Sequence, residues 1–353
     1  MDLSIVIPTY NEKENISEIT SRIDKELNKN NIKGELIIVD DNSPDGTGKI
    51  ADSLKKKYPA LKVIHRKGKE GLSSAVFAGF SVAKGKTLCV MDADLSHPTE
   101  KIGEMYFLIS KNEADLVIGS RYIPGGKIEG WTLNRKIMSR FATYLAKIFT
   151  KANDPMSGFF MIKKEYLKDK NINPKGFKIL LEIIIKTNCR IKEIPITFIN
   201  RKKGKSKAGI NEIAFYLQNL LGYFAYKKDA FLQFGKFALI GTMGMIVNLI
   251  FLYILTDLAK VYYLASAIFA FLIALIHNYL LNKTFTFKEN IKHKFFSKFL
   301  QFSLVSSAAL IINLIILYTL TEIFGIYYLI SQVIAIGFVF ILNFLGNKFW
   351  TFK

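Results

Sequence analysis

Four stretches of the chain contain no Asp, Glu, Lys or Arg: residues 237–256, 261–282, 299–321 and 323–347. Even the shortest, at 20 residues, covers about 30 Å as an α-helix, which is the thickness of a bilayer's hydrocarbon core. Helices buried in soluble domains rarely run this far without a charge. Four membrane-spanning helices are therefore expected, because a helix satisfies its own backbone polar groups in lipid. The charges are distributed accordingly. Residues 230–353 carry nine Lys, no Arg, and only Asp257, Glu289 and Glu322 as acids. The first 229 residues hold the other 40 Lys and Arg and 26 Asp and Glu, and form a charged globular domain.

The basic residues also set a direction. Lys227, Lys228 and Lys236 precede the first run, Lys283, Lys288, Lys292, Lys294 and Lys298 separate the second from the third, and Lys348 and Lys353 follow the fourth. The other two loops carry no excess of Lys. The positive-inside rule places both termini and the first domain in the cytoplasm. The apolar part is also an internal duplication. Asn278-Tyr-Leu-Leu-Asn282-Lys283 reappears as Asn343-Phe-Leu-Gly-Asn347-Lys348, and Phe237, Asn248 and Tyr253 match Phe302, Asn313 and Tyr318. Each copy holds two runs, so both copies share one topology. A helical anchor and a transporter both fit such a repeat. No acid lies within a run, which favours the anchor. The polar positions to watch are Asn248, His277, Asn278, Asn313 and Asn343.

Composition excludes several classes. A net charge of +20 with 50% hydrophobic residues is neither a disordered chain nor an ordinary nucleic-acid binder. Two cysteines, Cys89 and Cys189, make no disulfide scaffold, and four histidines show no metalloprotease-type spacing. The opening MDLSIVIPTYNE lacks the basic and apolar regions of a secretory signal, so none is expected.

The first domain reads as alternating strand and helix. The apolar runs 3–8, 35–41, 61–66, 87–94 and 115–121 have the length of buried strands, with helical patterns at 12–29, 45–58, 71–84 and 98–112. Asp45, Ser73 and Pro98 are the expected helix starts. This alternation predicts an α/β fold with a mostly parallel, Rossmann-like sheet, whose ligand site lies at the carboxyl ends of the strands. Those ends carry Pro8-Thr9-Tyr10-Asn11-Glu12, Asp40-Asp41-Asn42, Asp92-Ala93-Asp94 and Ser120-Arg121. Asp92 and Asp94 form the central pair. Two carboxylates at a strand-end turn, together with a substrate diphosphate, suit Mg²⁺ or Mn²⁺. Neither a P-loop nor a G-x-G-x-x-G after the first strand is present.

Taken in order, IPTYNEKENI, IIVDDNSPDGT, KEGLSSAV, VMDADLSHP, GSRY, DPMSGFF and RKKGKSK resemble the family 2 glycosyltransferases of GT-A fold, and more narrowly the dolichyl-phosphate mannose synthases. The resemblance covers about 210 residues, from IPTYNE near the start to RKKGKSK at 201–207. The second part resembles the GtrA-like four-helix membrane domain. The expected organisation is a catalytic domain at 1–209, an amphipathic interfacial connector at 210–229, and a membrane domain at 230–353 built of halves 234–288 and 299–353.

The resemblance implies roles for individual residues. Pro8, Tyr10, Glu12, Val39 and Asp41 match positions that hold the donor's base and ribose. Asn11, Glu12 and Asn15 also fit plain helix capping. Asp92, Ala93 and Asp94 match the metal and diphosphate motif. Relatives often carry Gln where this chain has Ser96, so a shorter ligand is expected there, with His97 as a substitute. Arg121 and Arg135 match positions that bind phosphate, supported by Ser139, and Arg121 also faces the donor. Lys203 and Lys207, with Ser206, match a basic loop over the donor diphosphate. Ser157 and Lys178 match positions near the sugar and acceptor.

The segment 134–151 alternates Arg135, Lys136, Arg140 and Lys147 with Ile137, Met138, Phe141 and Leu145. Such a pattern fits a membrane surface or an ordinary amphipathic core helix. The expected function is inverting, metal-dependent transfer of mannose from GDP-mannose to dolichyl phosphate at the cytoplasmic membrane face. The expected partners are those substrates and membrane lipids, with no nucleic acid and no obligatory protein partner. Polyprenyl-phosphate glucose synthases using UDP-glucose share most of the motifs. A protein that binds or translocates lipid-linked sugar is the alternative from another class. A processive polysaccharide synthase is disfavoured, because neither Trp131 nor Trp350 belongs to a Q-x-x-R-W motif.

Overall fold

Residues 1–168, 172, 178–200, 219, 222–223, 226 and 228–352 are described by the structure, a computed structural model. The chain divides into two compact units, Met1–Tyr226 and Lys227–Lys353.

The first unit is built on the expected alternation. β1 (Leu3–Thr9), α1 (Ile16–Lys29), β2 (Gly34–Asp40), α2 (Thr47–Leu54), β3 (Leu61–His65), α3 (Leu72–Val82), β4 (Thr87–Val90), α4 (Ile102–Ser110) and β5 (Leu116–Ser120) follow in order. Next come β6 (Lys127–Glu129), α5 (Leu133–Ala146), β7 (Phe160–Lys163), α6 (Ile179–Lys186), β8 (Ile191–Pro195) and β9 (Thr197–Ile199). Seven strands form one sheet in the order β3-β2-β1-β4-β7-β5-β8, while β6 and β9 pair separately. Only β7 runs antiparallel to its neighbours in the large sheet. Because β7 reverses against both β4 and β5, those two strands point the same way. The carboxyl ends of β1, β2, β4 and β5 therefore meet along one edge.

Strand alternation builds a core on each face. Leu3, Ile5 and Ile7 pack with Ile16, Ile19 and Ile23 of α1, whose spacing gives one helical stripe. Val6, Ile37 and Val39 point the other way, onto Ala75, Val76 and Phe80 of α3. Each such Ile or Val contributes about 1.5–3 kcal/mol when fully buried. Gly79 lets α3 lie against the sheet, since a Cβ there would collide with Val6.

Two helix starts differ from the sequence reading. α2 begins at Thr47 after Gly46, and Asp45 instead accepts hydrogen bonds from Thr47 N (3.0 Å) and Oγ1 (2.6 Å). α3 begins at Leu72 after Gly71, which adopts φ +97°, and Ser73 is buried inside the helix.

The second unit contains α7 (Lys228–Tyr253), α8 (Tyr263–Leu281), α9 (Phe295–Tyr318) and α10 (Tyr328–Gly346). Its four candidate membrane spans are Phe231–Leu258, Ile268–Thr286, Phe295–Ile323 and Tyr328–Thr351. Every helix ends in a five-residue π-helical turn: Ile254–Leu258, Asn282–Thr286, Thr319–Ile323 and Asn347–Thr351. From Tyr253 onward each boundary in the second helix pair lies 65 residues after its counterpart in the first. The duplication thus extends from sequence to helix irregularities.

It extends to packing as well. Phe237 contacts Phe344 with ring centroids 5.4 Å apart, and its repeat mate Phe302 contacts Tyr279, the mate of Phe344, at 5.7 Å. Phe287 and Phe352, also mates, stack on each other at 4.4 Å. A self-paired position flanked by matched pairs is what a pseudo-two-fold axis requires. Of the polar positions, Asn278 Oδ1 lies 3.2 Å from His277 Nδ1, and Asn343 Oδ1 accepts from Asn347 Nδ2 at 2.8 Å.

Candidate active site

The strand ends turn sharply through residues of positive φ. Asn11 (φ 61°), Asn42 (φ 56°) and Leu95 (φ 60°) follow β1, β2 and β4. Asn tolerates this conformation, whereas Leu pays for it at roughly 1–2 kcal/mol. The strained residue is the one beside the Asp92–Asp94 pair, where such strain marks functional sites.

Asp94 is buried and its Oδ1 accepts from Ser96 N at 3.1 Å. Asp92 remains partly exposed, with its Oδ2 3.3 Å from His97 Nε2. A Cβ on Gly158 would press on both Asp92 Oδ2 and His97, so the bare backbone of Gly158 makes room for the carboxylate. His97 is enclosed by Phe159 and Phe198, and burial pushes its pKa down to about 4. It is neutral near pH 7. Among the described residues the buried Ser96 Oγ finds no hydrogen-bond partner.

Among the described residues no three His, Cys, Asp or Glu side chains cluster to hold a metal. Two carboxylates with an unpaired hydroxyl are a partial set. A hard cation that takes its other ligands from substrate phosphates and water fits it. Asp92, Asp94 and Ser96 Oγ are the atoms that would hold it.

Beside the acids lies Arg121, at the end of β5. Its Nε and Nη2 both donate to Asp154 at 2.8 Å, and its backbone N–H adds a third bond at 2.9 Å. Asp154 is fully buried and is held in turn by its own N–H, which donates to Glu193 Oε1 on β8 (3.0 Å). Burial alone would lower the pKa of Arg121, but the Asp154 bonds outweigh it and raise the value. The guanidinium stays charged and its plane is fixed, with the faces of Tyr122, Trp131 and Phe198 within 5.3–5.6 Å.

Arg135 sits in the first turn of α5, capped by Thr132. Its Nη1 donates to Asn200 Oδ1 at 2.9 Å, and its guanidinium covers Trp131 at 4.1 Å. Asn200 Nδ2 also donates to Gly130 O at 3.1 Å. Ser139 Oγ accepts from Tyr122 OH at 2.8 Å. Arg121, Arg135 and Ser139 thus gather around Trp131 and Tyr122. The start of α5 leaves Leu133, Ile137 and Met138 more than half exposed, while Thr143, Leu145 and Ala146 at its end are buried.

The remaining sequence candidates divide. Pro8 pairs with Val39 across β1 and β2. Val39 is fully buried in the core, and its carbonyl oxygen accepts from Thr9 Oγ1 at 3.4 Å. Tyr10 lies under Lys69, whose Nζ is 4.5 Å from the ring centroid. Glu12 Oε2 accepts from Asn15 Nδ2 at 2.8 Å, and Asn15 is the helix cap without a side-chain bond to the helix. Asp41 is occupied by Arg66 Nη1 and by Gly71 N at 3.0 Å. Ser157 Oγ donates to Gly119 O at 2.7 Å and shapes the site's floor. Ala93 is buried between the two acids. Lys203, Lys207 and most of the 210–229 connector lie outside the described residues.

Sequence reasoning missed Asp154, Glu193, Trp131 and Asn200 as parts of this cluster. Asp154 carried a signal in the DPMSGFF motif. The others are brought in by β8, β9 and the approach to α5.

Residues 4–169 match the family model "Glycosyl transferase family 2", and residues 236–352 match "GtrA/DPMS, transmembrane domain". A dolichol-phosphate mannosyltransferase of Pyrococcus furiosus is 38% identical over 353 residues, covering 99% of this chain and 98% of that protein. A protein of the same name from Saccharomyces cerevisiae is 39% identical over 244 residues, covering 65% of this chain and 90% of that one. Among solved structures, S. aureus TarS 1–349 in complex with UDP-GlcNAc superposes with a TM-score of 0.50 at 17% identity. It covers 83% of this chain and 93% of its own, and speaks to the fold alone.

Proposed function

Because the chain belongs to the dolichol-phosphate mannosyltransferases of glycosyl transferase family 2, we propose that it transfers mannose from GDP-mannose to dolichyl phosphate. It is a glycosyltransferase and an integral membrane protein. The observation that carries the reading is the meeting, at one sheet edge, of the Asp92–Asp94 turn with the Arg121–Trp131–Arg135 cluster. Acids suited to a metal diphosphate lie beside fixed cations suited to a second phosphate.

The acceptor is a phosphate monoester, with a second pKa of about 6. It is largely dianionic near pH 7 and attacks without a strong protein base. Its oxygen forms a bond to the sugar's anomeric carbon as the bond from that carbon to the GDP β-phosphate oxygen breaks. A single in-line displacement of this kind inverts the anomeric centre. Arg121, held rigid by Asp154, and Arg135 would hold phosphate oxygens in line, and Ser139 would support them. Mg²⁺ or Mn²⁺, held by Asp92, Asp94 and Ser96, would neutralise the charge on the departing diphosphate.

Pro8, Tyr10, Glu12, Val39 and Asp41 are the proposed donor base and ribose positions. Lys203 and Lys207 are proposed at the donor diphosphate. The exposed Leu133, Ile137 and Met138 beside Arg135, Lys136 and Arg140 support a lipid-facing surface for α5. The Lys distribution supports a cytoplasmic first domain and termini. We also propose catalytic, connector and membrane segments at 1–209, 210–229 and 230–353.

Asp94→Ala tests the reading. Losing a charge-neutralising site worth several kcal/mol slows transfer about a thousandfold, at 1.36 kcal/mol per decade. A chain that only binds or carries lipid-linked sugar would bind preformed product as before and show no transfer in the wild type.

A further inference from the structure

The two arginines of the site stand on different elements. Arg121 directly follows β5, and Arg135 lies in the first turn of α5. Holding one phosphate between them requires that β5 and α5 keep a set distance. Tyr122 spans that gap. Its ring lies against the Arg121 guanidinium, whose carbon is 5.3 Å from the ring centroid. Its hydroxyl donates to Ser139 Oγ at 2.8 Å. Ser139 comes one helical turn after Arg135, so both side chains share a face of α5. One residue thus ties the end of β5 to the face of α5 that carries Arg135.

The direction of that bond has a chemical consequence. A phenol, with a pKa of about 10, gives a hydrogen bond more readily than an aliphatic hydroxyl, so the tyrosine donates and the serine accepts. A serine hydroxyl has one hydrogen and two lone pairs. With a lone pair taken by Tyr122, its hydrogen cannot point back at the tyrosine. Ser139 makes no other side-chain hydrogen bond among the described residues. That hydrogen is left for an acceptor which those residues do not supply. A phosphate dianion offers only lone pairs, and a hydroxyl already set as a donor suits it.

We propose that Tyr122 is a positioning residue for the acceptor phosphate: it keeps Ser139 Oγ as its own acceptor, so that the serine hydrogen is presented to a phosphate oxygen lying between Arg121 and Arg135. This rests on the reading that Arg121, Arg135 and Ser139 hold that phosphate. Tyr122 acts on it through Ser139.

Tyr122→Phe keeps the ring against Arg121 and removes only the hydroxyl. Initial rates are measured for the full-length wild type, Tyr122→Phe, Ser139→Ala and the double variant, with dolichyl phosphate and GDP-mannose varied in turn. Tyr122→Phe is expected to raise KM for dolichyl phosphate about three- to tenfold, the range of an ordinary hydrogen bond. KM for GDP-mannose and the melting temperature stay as in wild type. The double variant costs no more than Ser139→Ala alone, because the two side chains act as one unit. Unchanged KM for the lipid in Tyr122→Phe overturns the proposal, as do effects that multiply in the double variant. A lower melting temperature with both KM values raised also overturns it, by making Tyr122 a structural prop. A silent Ser139→Ala overturns it together with the role of Ser139 in the proposed function.

A second measurement needs no turnover. Calorimetry of dolichyl phosphate in detergent is expected to show weaker binding to Tyr122→Phe by the same factor, while phosphate-free dolichol binds both proteins alike. Equal affinity of the two proteins for dolichyl phosphate overturns the proposal. Wild type that binds dolichyl phosphate but transfers no mannose would instead count against the proposed function.

Discussion

Arg121 is not a flexible arm reaching for an anion. Two of its side-chain N–H groups and its backbone N–H all bind one carboxylate with no solvent exposure, which aims the rest of the guanidinium in a fixed direction. Asp154→Asn keeps the shape but removes the charge, leaving a buried cation uncompensated. Breaking such a pair costs about 3 kcal/mol. The variant should melt at a lower temperature and lose roughly tenfold or more in kcat/KM, measured by thermal shift and initial rates. A variant as stable and active as wild type would mean that the fork does not position Arg121.

Asp115, far from this cluster, gives a contrasting pH signature. Hydrogen bonds from Arg190 and Lys163 hold its carboxyl well below the usual range against the opposing effect of burial. A depressed carboxylate contributes stability that is full above about pH 3.9 and is lost as pH falls below it. Asp115→Asn should therefore melt lower at pH 7 and lose less on acidification than wild type. Equal acid sensitivity in both would remove Asp115 from the account. Strand-end acids and arginines were legible because an apolar run ending in a charge is a local pattern. The Arg121–Asp154 fork joins residues 33 apart, and nothing local announces it.

At the scale of elements, turns decide where side chains arrive. Gly71 sits at φ +97° and ψ 163°, a conformation reserved for glycine, and its N–H pins Asp41. Gly71→Ala is strained by about 1–3 kcal/mol and displaces that N–H. The expected result is a lower melting temperature and a higher KM for the nucleotide sugar, with KM for the lipid unchanged. In the membrane unit, a Cβ on Gly244 would collide with the Asn278 side chain. Close helix approach in lipid depends on such small residues. Gly244→Leu should wedge α7 from α8 and lower the melting temperature in detergent, and an unchanged value would contradict that packing.

The five long strand runs were legible from buried apolar stretches bounded by turns. β7 was not, because its four residues, Phe160–Lys163, carry no signal of direction. Its reversal is set by pairing on both sides. The helix starts at Asp45 and Ser73 missed because glycines, at Gly46 and Gly71, take the positions that the caps were assigned.

At the scale of the whole molecule, composition alone separates a charged α/β unit from an apolar helical one. Absence of charge over four runs was the strongest signal, and the repeat followed from aligning the chain with itself. The pseudo-two-fold aromatic cluster was implicit in the matched Phe positions, but which mates meet is set by helix packing and not by the repeat itself.

The central claim is that the strand-end acids and the arginine cluster serve one reaction between a nucleotide sugar and a lipid phosphate. The direct test is transfer of radiolabelled sugar to dolichyl phosphate by the purified full-length protein with Mg²⁺ or Mn²⁺. GDP-mannose, UDP-glucose and UDP-GlcNAc are offered in parallel, each with and without EDTA. The account predicts label in the lipid phase from GDP-mannose alone, abolished by EDTA. Transfer from UDP-glucose in preference to GDP-mannose, or transfer untouched by the chelator, would contradict it.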